Sequence, residues 1–265
     1  MCIAIFLWQA HPCYPFLLLL NRDEFYSRPT KPLSWWGIEN QILGGRDEQA
    51  GGTWLACTKD GKIAFITNVR ELRSIPSANS RGDLPLNFLQ SNKSPKEFVE
   101  DLAKEADKYS GFNLILADIR TKSMVYITNR SKTEDSFVTD VPPGMHVLSN
   151  ASLNSPWPKA ERLSHNLKEF LDKYGEMEVP VKEMVEILMM NNIKDDESKL
   201  PKIYPAEFEY QLSSIFVDTD TPLGRYGTRS TTVLSVKSNG EVNFYERYLE
   251  KEKWQEKTES FQVQP

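Results

Sequence analysis

The apolar runs of this chain are short, and turn signals separate them. Residues 3–8 and 16–20 are continuous apolar stretches on either side of a His11-Pro12 turn, each the length of a buried strand. Asp60-Gly61 separates residues 54–58 from 62–68, and Asn239-Gly240 separates 231–237 from 241–247. Both dipeptides favour the positive φ that tight hairpins need. Residues 112–118 and 124–129 read as another hairpin, so four strand pairs, mostly antiparallel, are expected. No run approaches the roughly 20 residues of a membrane helix, and no transmembrane segment is expected. The apolar segment 1–20 lacks a basic flank and is interrupted by Gln9, His11, Pro12 and Pro15, which reads as strands and a turn rather than a targeting peptide.

Helices fall between the strand pairs. Ser94-Pro95-Lys96-Glu97 has the form of a capping box with proline at the first helical position, and Phe98, Leu102 and Ala106 follow at four-residue steps. Residues 159–174 set Leu163, Leu167, Phe170, Leu171 and Tyr174 on one face, and 181–190 turn Met184, Ile187 and Leu188 inward. Residues 191–212 are charged and proline-punctuated, which suggests a surface excursion. The pattern predicts an α+β fold with helices covering antiparallel sheets. One domain is expected over residues 1–250, followed by a polar tail over 251–265.

Composition excludes several classes of function. With 32 basic and 37 acidic residues the net charge is −5, which disfavours a nucleic-acid-coating surface. Three cysteines (Cys2, Cys13, Cys57) do not suggest a disulfide framework and fit no zinc spacing, and the three histidines lie far apart. No metal or cofactor is expected, and a reducing, cytoplasmic setting is.

Cys2 is the most informative residue for chemistry. Removal of Met1 would leave a thiol and a free α-amine on one residue. An α-amine titrates at about 7.7–8.0, so it can accept the proton of its own thiol without a distant histidine. Downstream, Asn21-Arg22-Asp23-Glu24 follows the second apolar strand. Such a cluster reads either as a solvated turn or as a site in which Arg22, near Cys2 on a neighbouring strand, stabilises a thiolate or grips a carboxylate or phosphate.

Six motifs occur in order: Met1-Cys2-Ile3-Ala4, Asn21-Arg22-Asp23-Glu24-Phe25, Gly51-Gly52-Thr53-Trp54-Leu55-Ala56, Thr67-Asn68-Val69-Arg70, Leu148-Ser149-Asn150-Ala151 with Pro156-Trp157-Pro158-Lys159, and Tyr226-Gly227-Thr228-Arg229-Ser230. Together they resemble the NRDE family, also called the transport and Golgi organization protein 2 family, over residues 1–247. That family is similar to the cysteine N-terminal-nucleophile hydrolases, among them bile-salt hydrolase and penicillin acylase. The resemblance implies a four-layer α-β-β-α sandwich, with Cys2 as nucleophile and Arg22 and Asp23 in the region that positions it. It also implies Asn150 as an oxyanion-hole amide and Arg229 as a late active-site arginine, with Asn21 and Asn68 as further ligand-binding amides. The hydrolases separate the early arginine and aspartate by two residues, whereas here they are adjacent. Adjacent strand residues face opposite ways, which leaves open whether Asp23 or Glu24 serves the pocket. The quieter readings are that Asn150 caps a turn and that Arg229 pairs with Asp218 or Asp220.

The resemblance implies a small acyl-type or lipid ligand, either cleaved as an amide, a thioester or acyl-coenzyme A, or merely bound. Family associations with lipid homeostasis, mitochondria, haem trafficking and Golgi organisation frame the alternatives of a binding protein or a secretory-pathway factor. Haem finds no supporting axial ligand context in the residues.

Overall fold

The computed structural model describes residues 2–72, 75, 77–130 and 138–263. The chain forms two compact units: Met1–Ser27 with Pro143–Ser149 and Leu153–Ser260, and Arg28–Pro142 with Asn150–Ser152 and Phe261–Pro265. Each is built on a seven-stranded sheet.

In the first unit, β1 (Ile3–Trp8) and β2 (Phe16–Phe25) lie inside a sheet that runs β10 (Gly144–Leu148), β1, β2, β12 (Gly224–Val236), β13 (Glu241–Glu250), β14 (Lys253–Gln262). A short β11 (Asp218–Thr221) pairs with β12. β1 and β2 read as unbroken apolar runs because both of their faces are buried. Ile3, Ile5, Leu7, Leu17 and Leu19 form one core with Leu163, Leu167 and Phe170 of α3 (Pro158–Tyr174). Met184, Leu188 and Met189 complete it from α4 (Val181–Met184) and the π-turn Val185–Met189 that continues it.

The second unit holds β3 (Thr30–Trp36), β4 (Ile42–Asp47), β5 (Leu55–Thr58), β6 (Lys62–Asn68), β7 (Phe112–Asp118), β8 (Ser123–Thr128) and β9 (Val138–Asp140), in that order across the sheet. Its strand pairings are antiparallel. Two helices pack on it, α1 (Asp83–Gln90) and α2 (Pro95–Ala103). Ser94 and Glu97 form the expected capping box at the start of α2, and Phe98 meets Phe88 of α1 edge-on at 5.5 Å. The α+β class and the antiparallel sheets agree with the sequence pattern.

Four expectations change. β2 does not stop at Leu20 but carries the whole Asn21–Phe25 motif as strand, and Asn21, Arg22 and Asp23 are 0%, 4% and 5% exposed, which excludes a solvated turn. The π-turn inserts an extra residue per turn, so Val185, Leu188 and Met189 point inward and Ile187 points out. Residues 191–212 are only partly superficial, since they contain α5 (Ala206–Gln211) and bury Asp195, Leu200, Glu209 and Leu212. The polar segment after Glu250 forms strand β14 at the sheet edge, where its alternating exposure tolerates a charged composition. Among the described residues, no helix is long and apolar enough to cross a membrane.

Candidate active site

The site grows from the ends of β1, β2 and β12. Ile3 pairs with Asn21, so Cys2 precedes the ladder at the level of Arg22. On the other side of β2, Thr231 opposes Asn21 and Ser230 opposes Arg22. The register then shifts, leaving Arg229 in a bulge and Thr228 opposite Asp23. A bulge of this kind re-aims the side chain it carries.

Asn21 is a structural post. Its Nδ2 donates to the carbonyls of Met189 (2.8 Å) and Ile215 (3.0 Å), and its Oδ1 accepts from the Thr231 hydroxyl (2.7 Å). The amide thus ties the strand that bears Arg22 and Asp23 to the π-turn and to the segment that follows α5.

Asp23 is held by a directional relay. The main-chain N–H of Val217 donates to Thr228 Oγ1 at 3.0 Å, which turns the hydroxyl proton toward Asp23 Oδ1 at 2.7 Å. The Thr228 N–H in turn donates to the Val217 carbonyl at 2.7 Å. This approach is so close that a Cβ on Gly227 would lie 2.3 Å from the Val217 oxygen. Burial raises the Asp23 pKa above its ordinary value, while the positive amino terminus, the Lys159 ammonium and the Thr228 hydroxyl pull it down.

Arg22 and Glu24, two apart on β2, approach to 4.0 Å, and Glu24 Oε1 accepts the Phe25 N–H at 2.9 Å. Arg229 donates to the Phe25 carbonyl at 2.9 Å and lies 5.7 Å from the Tyr26 ring, over which Arg225 also sits, at 4.2 Å. Burial and the like charge of Arg22 push the Arg229 pKa down. Asp218 receives the fork of Arg225 at 2.9 and 2.8 Å. It is therefore Arg225, placed opposite Asp220 on the β11–β12 hairpin, that carries the ion pair considered for Arg229.

Cys2 is half-buried, and its carbonyl accepts from the Ser149 hydroxyl at 3.0 Å. Burial raises the thiol pKa and the Asp23 carboxylate adds to the rise. The amino terminus, a hydrogen bond from the Asp23 main chain and Arg22 oppose it. Tyr226 completes the cluster, its hydroxyl donating to the Asp23 carbonyl at 3.2 Å.

The first unit thus brings together Cys2, Asn21, Arg22, Asp23 and Arg229. Asn68 and Asn150 meet in the second. There the buried Asn150 amide donates to the Asn68 main-chain carbonyl (2.7 Å), and the Asn150 carbonyl accepts from the Arg70 N–H (2.7 Å). Asn68 itself is exposed, so its main chain, not its amide, makes this contact. Sequence reasoning passed over Thr228, Tyr226, Ser149 and Lys159 as site neighbours, although all four lie inside its motifs. Among the described residues no group of three or more His, Cys, Asp or Glu side chains is arranged to hold a metal.

A family model described as Transport and Golgi organisation 2 matches residues 1–251. The Transport and Golgi organization 2 homolog of Mus musculus is 33% identical, with 100% of both chains covered. Transport and Golgi organization protein 2 of Drosophila melanogaster is 27% identical, over 94% of this chain and 92% of its own. Among solved structures, a conjugated bile acid hydrolase from Clostridium perfringens is similar with a TM-score of 0.45 at 14% identity, over 100% of this chain and 97% of that one. A Caenorhabditis elegans N-acylethanolamine-hydrolyzing acid amidase ortholog is similar with a TM-score of 0.41 at 15% identity, over 88% of this chain and 92% of that one.

Proposed function

The chain belongs to the Transport and Golgi organisation 2 family, and we propose that it is a cysteine acyl hydrolase or transferase whose ligand is an amide, a thioester or an acyl-coenzyme A. One observation carries this reading: Cys2 shares a buried cluster with Arg22 and Asp23 at the joined ends of β1 and β2. A thiol whose pKa is raised by burial holds little thiolate near neutrality, so it needs a base beside it. Removal of Met1 supplies that base, because the new α-amine titrates at about 7.7–8.0.

In the proposed reaction the Cys2 proton passes to the α-amine as sulfur bonds the substrate carbonyl carbon, and the π electrons move onto oxygen. Collapse of the tetrahedral adduct expels the thiol or amine leaving group, which takes the proton back from the ammonium. Water or an acceptor amine then cleaves the Cys2 thioester. Asp23 stabilises the ammonium, and Arg22 and Arg229 hold an anionic part of the ligand, a carboxylate or phosphate. No step is assigned to Asn150, whose amide donates to the Asn68 carbonyl within the second unit. Asn21, with its amide committed within the protein, positions the strand rather than touching ligand.

The family name of the relatives favours a second reading, a ligand-binding factor in Golgi organisation without turnover. A Cys2→Ala variant separates the two. Release of free coenzyme A from palmitoyl-coenzyme A is expected to fall by about a thousandfold or more, while affinity for the same ligand, measured calorimetrically, stays within a few fold. Undiminished release in the variant would overturn the enzymatic reading.

A further inference from the structure

We infer that Ser149 is a positioning residue of this site: its hydroxyl fixes the Cys2 carbonyl, and so holds the thiol stem and, once Met1 is lost, the α-amine in one orientation. Cys2 lies beyond both ladders of β1. The pairing with β2 begins at Ile3 opposite Asn21, and the pairing with β10 begins at Ala4 opposite Leu148. Ser149 is the first residue after β10, and from there its Oγ donates to the Cys2 carbonyl oxygen at 3.0 Å. A side chain thus prolongs the contact between β1 and β10 past its last main-chain pair. Ser149 is 6% exposed, and Ile3, Ala4 and Leu148 around it are fully buried. Water competes little for a bond in such surroundings, which strengthens it.

The consequence follows from the covalent geometry of a chain start. The Cys2–Ile3 peptide is planar, so holding its oxygen sets ψ of Cys2. Nitrogen and Cβ both branch from Cα, and they turn together about that bond. An attached Met1 would add a second peptide plane to the restraint. Without Met1, only ψ and χ1 of Cys2 remain to place the base and the sulfur against Arg22 and Asp23. β1 holds one end of the peptide, and Ser149 holds its oxygen. Catalysis depends on such restraint, because a misplacement of about 1 Å can cost about a hundredfold in rate. Within the motif 148–151, Ser149 lies in the same unit as Cys2 and bonds to it directly.

The assignment rests on the reading of Cys2 as nucleophile, and one arm of its test needs no turnover. The full chain, isotopically labelled at its cysteines and freed of Met1 by methionine aminopeptidase, is studied by NMR relaxation. The Cα–H order parameter of Cys2 should be about 0.85 in the parent and fall below about 0.6 in Ser149→Ala. That of Cys57, buried in β5, should stay unchanged. Ser149→Thr, which keeps the hydroxyl, should restore the parent value. The second arm follows transfer of the acyl group from palmitoyl-coenzyme A to Cys2 by intact mass. In Ser149→Ala its rate should fall by about tenfold to a hundredfold with an unchanged half-saturating concentration, and Ser149→Thr should recover it. A Cys2 as rigid in Ser149→Ala as in the parent, acyl transfer at the parent rate, or an equal loosening of Cys57 would overturn the inference. Absence of acyl transfer in every protein would bear only on the proposed reaction, because the relaxation arm reads the placement of Cys2 by itself.

Discussion

Asp23 shows how a single buried carboxylate couples stability to pH. Its pKa is raised above the ordinary 3.8 chiefly by burial, so the native chain keeps this proton to higher pH than the unfolded chain does. The contribution of Asp23 to stability is therefore fully present below its ordinary value and is lost as pH rises through the native one. Urea unfolding at a series of pH values should show the protein losing stability relative to Asp23→Asn across that window, with a constant difference above it. A difference that grows in the protein's favour with rising pH would contradict this. At this scale the sequence was informative about residue identity but not about role. The Asn21-Arg22-Asp23-Glu24 string marked the place, yet nothing in it tells that Asn21 spends its amide on two main-chain carbonyls more than 150 residues away. Lys159 was equally hidden, because a lysine near the start of an amphipathic helix reads as solvated until the fold buries it.

The elements around the site are joined by close main-chain approaches. β12 runs against Val217 through Gly227, and the same contact aims the Thr228 hydroxyl at Asp23. Gly227→Ala is expected to destabilise the protein by about 1–3 kcal/mol through overpacking and to lower reactivity at Cys2. Denaturant unfolding alongside Cys2 alkylation would check both, and a variant of unchanged stability would contradict the close approach. Hairpins were the most legible elements. The Asp60-Gly61 and Asn239-Gly240 loops each close with the glycine N–H donating three residues back, at 3.1 and 2.9 Å, and with positive φ only at the glycine. β3 and β4 were not legible, since Pro32 and the Gly44-Gly45 pair look like turn residues. The π-turn was missed because a 3.6-residue period cannot anticipate an inserted residue, and β14 because its pairing partner, not its polarity, makes it a strand.

Across the whole molecule, the ordered motifs carry the family signature by themselves, because they sample the chain from residue 1 to 247. What they could not convey is how those motifs divide. Those around Cys2, Asn21 and Thr228 build the end of one sheet, while the Asn68 and Asn150 pair belongs to the other unit. The central claim is that Cys2 is a nucleophile freed by loss of Met1. The most direct test is the intact mass of the native-start protein before and after incubation with palmitoyl-coenzyme A, with peptide mapping of any adduct. The account predicts a protein lacking Met1 that gains one acyl group confined to Cys2. A protein that retains Met1 and gains no adduct would contradict it.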